Sequence, residues 1–365
     1  MHAHATKKHH RWPLWALLAL IVVLVALRLA LPTIVRNVLN KRMDHMGDYH
    51  GHVADVDINL WRGAYSLDKL SVVKVSGKVP VPLLDTRSMD IALSWHALLH
   101  GAIRATVDFD HPVLNFVDSN SKKSSQVGRG VDWRKKLEDL IPIRLDEVNV
   151  HDGTVAFHNF VSKPRVDLKA TDVQASVTNL TNANDSEGNR VASMRVTANI
   201  LGEAPLQSTA SFDPLGDFQD FSFTLRILRI QLTKLNDLAR AYAGLDFASG
   251  HGDFVMELNA RDGQLRGYAK PLFQNMKIFS WKQDVEENKE NPFRVAWEAI
   301  VNGVTWIFKN HKVDQFATRV PIRGRIDNSK IGTWKAIVNV LHNAFVEAYK
   351  PQLEHLKPAP KQNDD

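Results

Sequence analysis

Apolar residues follow two patterns along this chain. Residues 14–27 form an unbroken run, LWALLALIVVLVAL. With Trp12 before it and residues 29–35 after it, interrupted only by Arg28 and Pro32, the stretch has about the length a bilayer core requires. Trp12 and Trp15 suit an aromatic belt at one end, and the long stem of Arg28 can snorkel at the other. A cleaved signal peptide is the rival reading. It is disfavoured because Arg28, Leu29 and Leu31 stand where small residues should precede a cleavage site. The reading is therefore a tail over 1–12 and an uncleaved membrane anchor over 13–35.

A short helix is expected over 33–46, and from His52 the period changes to two. Val56, Ile58 and Leu60 alternate with Asp55, Asp57 and Asn59, the signature of a strand with one apolar face. Two-residue Asp-Gly turns set the expected pairing, because both central residues of such a turn take positive φ. Closing a hairpin at Asp152-Gly153 pairs Val150 with Val155 and Val148 with Phe157. At Asp262-Gly263 it pairs Ala260 with Leu265, Leu258 with Gly267 and Met256 with Ala269. Arg62-Gly63, a looser case, pairs Leu60 with Tyr65 and Ile58 with Leu67. In the first two, turn and hydrophobic pattern agree on register.

Further strands are expected over 104–109, 113–117, 165–178, 190–200, 206–212 and 218–232, with loops over 119–130 and 179–189. Short helices are expected over 133–140 and 233–243. Asn291-Pro292 opens a longer helix with a stripe of Phe293, Trp297, Ile300, Val304 and Phe308. Another helix over 332–349 carries Trp334, Val338, Leu341, Phe345 and Tyr349 and ends before Pro351. The expected class is mainly β with flanking helices (α+β): a β-rich body over 36–290, a closing helical and strand region over 291–351, and a solvated tail over 352–365.

Charge narrows the function. The net charge is +6, but residues 1–32 hold Lys7, Lys8, Arg11 and Arg28 and no acid; setting those four aside leaves 42 basic against 40 acidic residues. The body is close to neutral, so nucleic acid is not an expected partner. The absence of cysteine removes disulfides, thiolate metal sites and cysteine nucleophiles. Lys7, Lys8 and Arg11 on one side of the anchor balance Arg36, Lys41 and Arg42 on the other, so charge alone leaves orientation open.

Catalytic motifs are missing: there is no phosphate-binding loop, nucleophile elbow or zinc-protease signature. His251, Asp253 and Glu257 are the nearest approach to a metal or proton-sharing site. They read better as polar positions on an alternating strand, alongside Asn259 and Arg261. His2, His4, His9 and His10 read as a polar tail. No enzyme activity, cofactor or metal is expected. Alternation alone leaves two arrangements open, a closed sandwich, which the pattern favours, and an open curved sheet with an apolar concave face.

Several phrases together carry a family resemblance. They are Val56-Asp57-Ile58-Asn59-Leu60-Trp61-Arg62-Gly63-Ala64-Tyr65-Ser66-Leu67, Val150-His151-Asp152-Gly153-Thr154-Val155-Ala156-Phe157, and the stretch from Ala241-Tyr242 to Gly267-Tyr268-Ala269-Lys270-Pro271-Leu272-Phe273. Asn291-Pro292, Ala317-Thr318-Arg319-Val320-Pro321 and Asn343-Ala344-Phe345 add to them. In these the chain resembles the AsmA-like periplasmic proteins, in a single-span branch. The resemblance implies a Gram-negative inner-membrane protein with its N-terminus in the cytoplasm and its bulk in the periplasm. It also implies an elongated, antiparallel, curved β-groove with an apolar lining, as in the larger TamB-like and chorein-type relatives associated with phospholipid movement.

About 15 to 18 strands at roughly 4.8 Å each would give a groove of roughly 70–90 Å. The implied partner is phospholipid through its acyl chains, with Val56, Ile58, Leu60, Val148, Val150, Val155, Phe157, Met256, Leu258 and Leu265 as candidate lining. The implied function is lipid binding or transfer in envelope maintenance. The alternative is a non-catalytic scaffold or assembly factor for envelope proteins; a hydrolase using His251, Asp253 and Glu257 ranks last.

Overall fold

Fifteen strands and one long apolar helix dominate the computed structural model, which describes residues 12–44, 46–59, 63–76, 79–93, 105–119, 121, 123–126, 145–180, 191–213, 219–281, 315–317, 319–326 and 340. The helices expected over 133–140, 291–308 and nearly all of 332–349 lie outside the described residues, as do the histidine-rich tail and Leu60. The chain divides into two compact units. One comprises Met1–Val161, Asp167–Ala183 and Met194–Gly202; the other comprises Ser162–Val166, Asn184–Ser193 and Glu203–Asp365.

Helix α1 (Trp12–Met43) is continuous through Pro32, where a membrane span and a separate helix over 33–46 were expected. Within it, Trp15–Met43 is long and apolar enough to cross a membrane, with mean hydropathy 2.6 and no buried residue in its most apolar window. Its last three turns play a different part. Leu31, Val35, Leu39 and Met43 pack onto the first unit's core, with Met46, Tyr49, Val53, Val56, Ile58, Leu67 and Ile91. Arg28 donates to the Ile58 carbonyl at 2.7 Å, so its head is held by the body. Asn40 donates to Val53 O at 3.0 Å and accepts from Val53 N at 2.8 Å, pairing with the chain as a neighbouring strand would.

The first unit's sheet contains β1 (Tyr49–His52), β2 (Asp55–Asn59), β3 (Ala64–Lys74), β4 (Leu84–Leu93), β5 (Ala105–Asp110), β6 (Val113–Asp118) and β7 (Leu145–Asn159). Apart from their first one or two residues, β8 (Val166–Thr178) and β9 (Ala192–Ile200) belong to it as well. The order is β1-β3-β4-β5-β7-β8-β9, with β2 on β3. β5 and β6 run in tandem and both pair parallel to β7, so the sheet is mixed and not purely antiparallel as expected. The long connection between β6 and β7 makes this possible, since a parallel pair needs a crossover of a dozen or more residues.

That tandem also overturns the expected hairpin at Asp152-Gly153. β7 passes straight through the dipeptide, and Val150 and Val155 pair instead with Phe109 and Leu114. Only Asp152 has positive φ, at 51°, whereas a two-residue turn needs two such residues. Neighbouring backbone takes the groups a hairpin would have used: His111 N donates to His151 O at 2.9 Å, and Thr154 N to Pro112 O at 2.7 Å. β2 and β3 pair with the register moved by two residues from the one expected for an Arg62-Gly63 turn, Ile58 opposite Tyr65 and Val56 opposite Leu67. A shift of two keeps every side chain on its expected face.

β10 (Ala204–Phe212), β11 (Phe221–Gln231), β12 (Leu245–Arg261), β13 (Gln264–Trp281) and β14 (Gln315–Ala317) follow in order in the second unit, and β15 (Val320–Arg325) also pairs with β13. Here the Asp262-Gly263 turn closes as expected. φ is 50° and 71° at its two residues, and Ala260, Leu258 and Met256 face Leu265, Gly267 and Ala269. A 3-10 turn (Leu232–Leu235) runs into α2 (Asn236–Ala243), matching the helix expected over 233–243. Asn236 repeats the device of Asn40, pairing with Phe247 N at 2.8 Å and Phe247 O at 3.0 Å.

Candidate functional site

Bends positioned by left-handed residues organise the strand faces. In the first unit they fall at Lys69, His111, Asp152 and Asp172, each with φ between 49° and 53°. An inserted left-handed residue bends a strand and shifts its side-chain parity. Parity shifts together in the neighbouring strands. Val107 and Phe109 give way to Leu114 and Phe116, beside Val148 and Val150 giving way to Val155 and Phe157. Phe109, before the bend, and Leu114, after it, touch the same core, so one apolar face continues across it.

That face extends over β7, β8 and β9. Contacts on the reverse side fix it: His158 Nδ1 lies 3.3 Å from Asp167 Oδ1, Gln174 donates to Asp152 at 2.6 Å, and Asn199 to Asp172 at 3.0 Å. Alternation then puts Val155, Phe157, Leu168, Val177, Met194, Val196 and Ile200 on the other side. All of these are half-buried, and none of the core clusters among the described residues includes them.

The lipid-lining candidates therefore separate. Val56 and Ile58 are buried among the protein's own side chains, in the cluster that residues of α1 cover. Leu258 and Leu265 are buried with Val320, Ile322 and Ile326, with Val340 packed on them. Val148 is half-buried against the first core. Val150, Val155 and Phe157 are half-buried on the β7–β9 face, and Met256 is half-buried in the second unit beside Phe223 and Phe254.

His251, Asp253 and Glu257 do not converge. His251 and Glu257 are six positions apart on β12, about 20 Å of extended chain. Asp253 accepts from Arg229 N at 2.7 Å, and Glu257 accepts from the Tyr268 hydroxyl, which raises that phenol's pKa. No group of three or more potential metal-ligating His, Asp or Glu side chains occurs among the described residues.

A buried polar network that the sequence did not signal lies behind the bend. His158 Nε2 is 3.1 Å from Asn115 Oδ1; Asn115 donates to Pro82 O at 2.9 Å; Gln126 donates to Asn115 O at 3.1 Å. Burial holds the His158 imidazole below its ordinary value, with Asp167 opposing the shift and Lys169 adding to it. These residues meet only through strand pairing, so no local spacing announces them.

A scan against protein-family models and a search of curated proteins return no match for the chain.

Proposed function

We propose that this chain is a membrane-anchored lipid-binding protein that carries acyl chains on the apolar face of β7–β9, in the manner its AsmA-like resemblance implies. The observation that carries the reading is that face: half-buried valine, leucine, isoleucine, methionine and phenylalanine left outside the core clusters, in the unit that also holds the apolar helix. Each methylene such a face removes from water is worth about 0.8 kcal/mol. An acyl chain therefore gains several kcal/mol without any charged contact, and its headgroup stays in solvent. The strand bends support a curved face that could wrap a chain.

The reading places the anchor in a Gram-negative inner membrane, with the N-terminus in the cytoplasm and the body in the periplasm, where it would bind or transfer phospholipid and help maintain the envelope. These assignments rest on the resemblance.

A photo-crosslinking amino acid at Phe157, and separately at Leu265, tests the reading in full-length protein purified from membranes. Phospholipid adducts are expected at Phe157 and not at the sealed Leu265. Equal labelling at both positions, or none at Phe157, would refute lipid occupancy of this face. Protein adducts at Phe157 would favour the scaffold alternative.

A further inference from the structure

The second unit carries an arginine-lined face on the side opposite its core. β12, β13 and β15 lie side by side, and their inward rows are Leu258–Gly267–Ile322 and Ala260–Leu265–Gly324. The alternate rows point away from the core: Asn259–Arg266–Arg323, then Arg261–Gln264–Arg325. Arg266 and Arg323 are thus direct cross-strand neighbours, with Cβ atoms about 5 Å apart in such a pair. Beside them the Arg319 guanidinium stacks over the Tyr268 ring, 4.3 Å from its centroid. Gln264, Arg266, Tyr268, Arg319, Arg323 and Arg325 line an open cavity of about 890 Å³.

Positive charge is in excess on this face, with Arg261, Arg266, Arg319, Arg323 and Arg325 against the single carboxylate of Glu257 in these rows. Among the described residues, none of Arg266, Arg319, Arg323 and Arg325 forms an ion pair, and the carboxylate of Glu257 is engaged by Tyr268. Like charges directly opposite one another destabilise a sheet. Edge protection is the simplest alternative, since charged side chains on an outer strand discourage further pairing. It accounts for Arg323 and Arg325 on β15. It does not account for Arg266 on the strand next to it, or for Arg319 ordered on an aromatic ring. The guanidinium's planar fork matches phosphate oxygens two at a time, which a lysine would not do.

We propose that this face binds phosphate groups, with Arg266 and Arg323 as a paired clamp and Arg319, held by Tyr268, closing one end. The inference is independent of acyl-chain binding on β7–β9. A lipid headgroup and a soluble phosphate offer the same chemistry, and the ligands in the experiment tell them apart.

Full-length protein in a neutral detergent is titrated calorimetrically with inorganic pyrophosphate and with dihexanoyl phosphatidic acid. Dihexanoyl phosphatidylcholine, with identical tails, serves as the reference. Saturable binding of at least one of the first two is expected, with the phosphatidylcholine weaker. Binding of pyrophosphate alone identifies a soluble ligand, and binding of phosphatidic acid alone a headgroup. The double substitution Arg266→Gln with Arg323→Gln should weaken binding about tenfold or more, while Arg195→Gln in the first unit leaves it unchanged. Arg325→Gln, a single change at an exposed position, serves if the double variant does not fold. Failure of both phosphate ligands to bind, or undiminished binding by the folded double variant or by Arg325→Gln, would overturn the proposal.

Discussion

Two asparagines perform the same task in the two units. Asn40 on α1 and Asn236 on α2 each offer an amide N–H and an amide oxygen to the backbone of one residue, Val53 and Phe247 respectively. Each side chain satisfies a donor and an acceptor that no strand reaches. Removing both bonds from one site should cost about 1–3 kcal/mol, at the usual net worth of each. Asn40→Ala and Asn236→Ala are therefore expected to lower the denaturation midpoint, and Asn40→Asp to recover only the half that accepts from Val53 N. His158 makes a pH-dependent contribution. Its folded-state pKa lies below the ordinary 6.5. The unfolded chain therefore takes up the proton first as pH falls. Its contribution is complete above about 6.5 and is lost as pH drops from there through the folded value. The melting temperature should fall on acidification from pH 7.5 to 5, and His158→Gln should flatten that dependence. Wild-type and variant curves that run parallel would show that another group is responsible.

At the scale of elements, the same dipeptide has two outcomes. Asp262-Gly263 closes a hairpin between its own flanking strands, with both residues at positive φ and the turn's backbone held by Asp220, Gln219 and Ile326. Asp152-Gly153 lies beside the His111-Pro112 step of the tandem β5–β6 and becomes a bend in a fifteen-residue strand. Gly153 has no room for a side chain there, since a Cβ would come within 2.9 Å of Val150 Cγ1. The bends also invert ordinary strand preference. Lys69, exposed on β3, holds φ of 52°, a conformation that disfavours any residue with a Cβ and β-branched residues most. Lys69→Gly should therefore exceed Lys69→Val in stability by about 1–2 kcal/mol, measured by chemical denaturation. The opposite order, that of ordinary strand propensity, would mean the bend does not hold in solution.

For the whole molecule, α1 is both a membrane-length helix and part of the body. The side chains of Leu31, Val35, Leu39 and Met43 cover Val56, Ile58 and their neighbours. A chain beginning at Asp48 would lose that cover together with the bonds from Arg28 and Asn40; one beginning at Leu29 would keep all but the Arg28 bond. The shorter chain is expected to melt lower and to bind a hydrophobic dye, and the longer one to behave as the intact protein does above its anchor. Equal melting of the two would mean that residues 29–47 add nothing to the fold.

What the sequence determined by itself was local. The apolar run, the strands β5, β6 and β8 to β11, the helix before Leu245 and the Asp262-Gly263 register were legible because each depends on neighbours in the chain. β4 (Leu84–Leu93) was not legible. Thr86 fills a buried slot by hydrogen-bonding the carbonyls of Ser88 and Asp110, which breaks the apolar alternation. The tertiary structure alone decided the parallel pairing of β5 and β6 with β7, the burial of Val56 and Ile58 under α1, the His158 network and the meeting of Arg266 with Arg323. Each of these is fixed by which distant strand or helix lies alongside. Backbone groups and apolar surface must be satisfied by something, but a residue's own sequence neighbourhood does not say by what.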